Sequence, residues 1–165
     1  MQVAVVLAGV MATVVTHAQE RPYVAVRTLS METANRLALE AARACAEQGY
    51  QVAAAVVDRG GALLALARDP LAGPHSVEVA RRKAYSAASF QSSTLDLQAR
   101  SGMQTLNAAE HVLLIGGGVP VDVGGQFYGA VGVSGAPARE VTGDVDHECA
   151  QAGIDAIREA LEFAE

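Results

Sequence analysis

His75 follows the loop Asp69-Pro70-Leu71-Ala72-Gly73-Pro74 and stands immediately before a helical pattern that carries Arg81, Arg82 and Lys83. Imidazole offers the accessible lone pair that a metal needs, so His75 is the candidate metal ligand of the chain. The three cations beside it suit carboxylate groups, since guanidinium and ammonium both donate to anions. Tyr85 and Ser86 continue the same stretch and add two hydroxyl groups. Of the other histidines, His111 reads as a residue at a loop edge and His147 as an exposed residue near the start of the last helix.

A second chemistry is written into the backbone. Gly116, Gly117 and Gly118 open the run GGGVPVDVGGQFYGAVGVSG, and adjacent glycine amides can form a nest for an anion. With Arg82 or Lys83 across a cleft, such a nest would hold a small carboxylate. Asp58 or Glu78 would then be the general base and Tyr85 the acid. Competing with this is a purely structural reading of both features. Asp58 heads Asp58-Arg59-Gly60-Gly61, which is turn chemistry in its own right, and glycines also permit close packing of a helix on a sheet. Sets such as GxSxG, a P-loop, HExxH or a dinucleotide fingerprint are missing, so whether the chain is an enzyme stays open.

The elements that position these residues follow from periodicity. Apolar positions at Ala34, Leu37, Ala38, Ala41 and Cys45 predict an amphipathic helix from Ser30 to Gln48, with Ser30 as its N-cap and Gly49 beyond its end. The runs 51–57 and 62–67 flank Asp58-Arg59-Gly60-Gly61 and predict a β-hairpin. A helix is expected over 76–91 and a short one around 94–99. Strands are expected at 112–115, 119–123 and 126–133, the last two joined by Gly124-Gly125. A final helix is expected over 144–163. The order predicts one α+β domain, an antiparallel sheet of about five strands covered by helices.

The 165 residues and 51% hydrophobic content suffice for a core without staples. A net charge of −6 gives no basic footprint, which argues against nucleic acid as a partner. The first eighteen residues carry no Asp, Glu, Lys or Arg and end in Thr16-His17-Ala18, small residues suited to a signal peptidase. Residues 1–18 therefore read as a signal peptide, 19–29 as an extension and 30–165 as the domain. The mature protein is then expected in the periplasm or secreted, with no membrane attachment once the leader is removed. Cys45 and Cys149 fall on apolar faces of helical patterns and are expected to be buried free thiols.

Four ordered segments resemble one family: the hairpin AAAVVDRGGALLALARDP, the helix ARRKAYSAASF, GGGVPV followed by GAVGVSG, and DHECAQAGIDAI. Together they resemble the GlcG/HbpS family of haem-binding and haem-degrading-like proteins, which is related to the C-terminal domain of PduO-type proteins. The resemblance runs from about Ser30 to Leu161. It implies a profilin-like sheet between helices, a homo-oligomer, and a haem or other small-molecule site at a subunit interface. The resemblance fixes no single iron ligand, some members using an oxygen on the helix where this chain has Tyr85 and Ser86; the side-chain inventory puts His75 forward for that role, with Arg82, Lys83, Ser86 and Gly116 to Gly118 lining the site.

Overall fold

Ser30 starts the first helix as its composition requires. Its hydroxyl accepts from the Thr33 amide at 3.2 Å, satisfying one of the orphan donors of α1, Met31–Glu47. This computed structural model describes residues 22–164, so the leader expected at 1–18 lies outside the described residues. The buried stripe of α1 is Ala34, Leu37, Ala38, Ala41 and Cys45, and Gly49, with φ 86°, lets the chain leave the helix.

The hairpin pairs β1, Ala53–Val57, with β2, Leu63–Arg68. Its turn is fastened by Asp58, whose Oδ1 accepts from the amides of Gly60 at 2.8 Å and Ala62 at 2.9 Å. Next come α2, Ser76–Phe90, then α3, Thr94–Ala99, and a 3₁₀ helix at Met103–Ala108. The strands β3, Gly118–Val123, and β4, Gln126–Ser134, turn at Gly124-Gly125, where φ is 60° and 74°. The last helix is α4, Asp144–Glu162.

The sheet is antiparallel in the order β2-β1-β4-β3, with β1 and β4 in the middle. Because side chains alternate along a strand, Ala53, Ala55 and Val57 meet α2 while Ala54 and Val56 enter the larger core under α1 and α4. Three layers result: α2, the sheet, and the pair α1 and α4. Small residues dominate the α2 side, with Ala80, Ala84 and Ala87 buried, whereas Leu37, Ile154 and Ile157 fill the other side.

Two expectations are corrected. The sheet has four strands, because residues 112–115 form a loop instead of a ladder. Side chains replace the strand partners there: Leu113 donates its amide to Ser86 Oγ and Leu114 to Asn107 Oδ1, both at 2.7 Å. Cys45 and Cys149 are joined in a disulfide, with Cα atoms 5.4 Å apart. Each lies on an apolar face as expected, but the antiparallel packing of α1 on α4 brings the two faces together, and that packing is a tertiary fact.

Candidate functional site

His75 is the N-cap residue of α2, with helical backbone angles and no side-chain capping bond. Its ring is exposed and lies over Gly73, where an added Cβ would come within 2.7 Å of it. Among the described residues neither ring nitrogen has a hydrogen-bond partner. The Pro/Gly loop therefore delivers a free imidazole to the surface at the start of the helix.

Along the outward side of α2 a polar cluster continues from there. Arg81 donates Nε and Nη2 to the two carboxylate oxygens of Glu78 at 3.0 and 2.9 Å. The same Nη2 lies 3.4 Å from His111 Nδ1. His111 packs edge-on against Tyr85 with centroids 5.7 Å apart, and its φ of 64° is the left-handed region that a non-glycine residue seldom adopts. Tyr85 in turn covers Gly61, where a Cβ would stand 2.5 Å from the ring. Arg82 donates to the carbonyl of Val112 at 2.6 Å, which ties the 112–115 loop to the helix. The hydrogen bond from Arg81 lowers the pKa of the Glu78 carboxyl from its ordinary value, which makes it a weaker base than a free carboxylate.

The inward side of α2 does different work. Lys83 is 2% exposed; its Nζ donates to Asp146 Oδ2 at 2.7 Å and to the Val133 carbonyl at 3.0 Å. Asp146 Oδ1 accepts from the Ala136 amide at 3.0 Å, so each charged group has two partners inside the protein. Burial pushes Lys83 down and Asp146 up, with the partner charge opposing each shift. Gly117 makes room for this pair, since a Cβ there would sit 2.9 Å from Lys83 Nζ and 2.8 Å from Asp146 Cβ. A Cβ on Gly118 would run into the carbonyl of Lys83.

The glycine triplet is thus a packing surface. The Gly116 amide is taken by Gln98 Oε1 at 2.9 Å and the Gly118 amide by Thr94 Oγ1 at 2.8 Å, so these two cannot serve as an anion nest. Ser86 is buried and bonds to the Arg82 carbonyl and the Leu113 amide. Lys83, Ser86 and Gly116 to Gly118 do gather in one region, as their spacing suggested, but they meet each other across a closed interface. His75 and Arg82 stay on the surface side. Asp58 fastens a turn, as described above.

Asp146 escaped sequence reasoning. The signal that points to it is a lysine on the alanine-rich face of α2, which must find a buried acid once that face is covered. His147 is half-buried and not exposed as expected; its Nδ1 is enclosed without a hydrogen-bond partner, and desolvation lowers its pKa. Among the described residues no group of three or more metal-ligating side chains gathers. None of the described helices is long and apolar enough to cross a membrane.

Fold and site together define a small three-layer α+β protein that presents a free imidazole at the mouth of a cationic helix. The family model for the haem degrading protein HbpS-like matches residues 29–155, and the chain belongs to this HbpS-like family. The chain is 33% identical over 108 residues to protein GlcG of Escherichia coli K12, covering 64% of this chain and 81% of that protein. A crystal structure of a double mutant of HbpS from Streptomyces reticuli superposes with a TM-score of 0.76 at 34% identity, covering 88% of this chain and 98% of the other. The structure of a PduOC:heme complex gives a TM-score of 0.68 at 26% identity, covering 79% and 95% of the two chains.

Proposed function

We propose that this protein binds haem, with His75 as the iron ligand and a second copy of the chain completing the pocket. The observation that carries the reading is the unpartnered, exposed imidazole of His75 on a fixed loop at the start of α2. Membership of the HbpS-like family and the likeness to a PduOC:heme complex support haem as the ligand. One imidazole cannot shield a porphyrin, and the surface grooves of 410, 380 and 310 Å³ are lined by residues other than His75. The opposite wall is therefore assigned to another copy. Leu63 and Leu66, exposed on the edge strand β2, favour such association.

When bound, haem would supply an iron centre whose reactivity depends on its axial ligand and on the polarity around it. The chain's own part is to present the Nδ1 or Nε2 lone pair of His75 at the surface; Arg81, paired with Glu78, and Arg82, bonded to the Val112 carbonyl, would have to exchange those partners to meet acidic substituents. The Cys45–Cys149 disulfide supports an oxidising compartment, periplasmic or secreted, in keeping with the expected leader. N-terminal sequencing of protein recovered from that compartment tests the export reading, which fails if the chain still begins at Met1.

A haemin titration of the purified protein tests the ligand. A saturable Soret shift is expected in the wild type, with affinity at least about tenfold weaker in His75→Ala, the loss of one good axial contact. A wild type that gives no shift overturns haem binding. An unchanged shift in His75→Ala overturns the assignment of the ligand while leaving haem in place.

A further inference from the structure

We propose that the groove between the N-terminus of α1 and the last turn of α4 is a binding site for a small carboxylate with a short apolar tail. It lies in the α1 and α4 layer, on the opposite side of the sheet from α2, and does not depend on haem. Its volume of 310 Å³ is at the small end for ligand sites, which begin at about 300 Å³.

The buried floor is Tyr128. In β4 the register passes from Val121 opposite Gly129 to Asp122 opposite Phe127, which leaves Tyr128 as the extra residue of a β-bulge. Phe127 accordingly packs in the α2 cluster while Tyr128 joins the α1 and α4 core. Tyr128 is only 5% exposed and lines the groove, yet among the described residues its hydroxyl has no hydrogen-bond partner. The hydroxyl itself is not enclosed, so the small exposed part of this residue is what opens onto the groove.

The lining also holds Arg27 as a donor and, at the end of α4, carbonyls that accept. Arg27 has no ion pair among the described residues and Thr28 adds a hydroxyl beside it, while the Ser30 hydroxyl is engaged with Thr33. The nearest acid in sequence, Glu32, is exposed and is not part of the lining. Carbonyls at the end of α4 offset the dipole of α1, so the positive charge of the site comes from Arg27. A carboxylate, which only accepts, complements the donors of this set, and Leu29 and Leu161 form an apolar wall for its tail.

Calorimetric titration of the haem-free protein with butyrate, methyl butyrate and inorganic phosphate tests the proposal. Saturable binding is expected for butyrate alone. Tyr128→Phe, which removes only the hydroxyl, should weaken it about tenfold, as for one hydrogen bond to a charged group. Arg27→Gln should weaken it at least as much. Both variants should keep the wild-type melting temperature and the wild-type Soret response to haemin, which separates this site from the one at His75. The proposal is overturned if butyrate does not saturate, if the ester or phosphate binds as well as butyrate, or if butyrate binding is unchanged in both variants.

Discussion

The two faces of the sheet are closed by opposite means. Under α1 and α4 the core is filled by side chains, Leu37, Val56, Ile154 and Ile157 among them, and the two helices are bound covalently by Cys45 and Cys149. Under α2 there is little side-chain volume. Alanines and glycines bring backbone against backbone, as at Gly132, where a Cβ would stand 2.6 Å from the Ala84 amide nitrogen. The buried charge on that side is Lys83, and it is answered by Asp146 reaching over from α4. A face packed by volume tolerates relaxation, whereas a face packed by close backbone approach does not. On the same helix His75 stands exposed at the N-terminus while Lys83 is locked inside on Asp146.

The comparison is broken most forcefully at the disulfide. It spans a sequence separation of 104, and a loop of that size constrains the unfolded chain by about 4–5 kcal/mol. Cys45→Ala combined with Cys149→Ala should lower stability by about that amount in urea unfolding, with a matching loss in the wild type under reductant. A loss below about 1 kcal/mol would mean that side-chain packing alone holds α1 to α4.

The ion pair is the corresponding test of the α2 face. Asp146→Asn leaves a buried lysine uncompensated and should cost about 3–5 kcal/mol. Replacing both partners, Lys83→Met with Asp146→Leu, should recover most of that loss, because the charge no longer needs desolvation. If the double variant is as unstable as the single one, the role of the pair is geometric rather than electrostatic.

A smaller effect sharpens the picture at the start of α4. The Asp144 carboxylate accepts from the amides of Glu140, Arg139, Val141 and Val145, and these bonds hold its pKa far below the ordinary value. The folded state then binds fewer protons than the unfolded chain, so this contribution is fully present above about pH 4 and is lost as pH falls below it. Asp144→Asn should flatten that acid limb in unfolding measured from pH 5 downward. An unchanged slope would show that the amides find other acceptors.

The helices and the hairpin could be read in the sequence because their signals are local. Ser30, Gly49, Asp58 and Gly124-Gly125 mark their own boundaries, and α1, α2 and α4 begin and end within a residue or two of expectation. Residues 112–115 look like a strand by composition, yet no partner strand is available and Ser86 and Asn107 supply the bonds instead. The site divides in the same way. The motif around His75 announces an exposed imidazole, but the inward turn of Lys83 depends on which face of α2 meets the sheet.

By itself the sequence determined the four main helices, the four strands of the sheet, their order, the family resemblance and the cationic helix behind His75, since each rests on periodicity, turn chemistry or residue type within a short window. Tertiary structure decided which of those residues are free. Packing α2 against β4 closed the glycine run and buried Lys83 on Asp146. Packing α1 against α4 joined two cysteines that lie far apart in the chain. The bulge at Tyr128 turned a phenol toward a groove. Each of these outcomes follows from contacts between distant segments, where a side chain's partner is set by geometry that no local pattern contains.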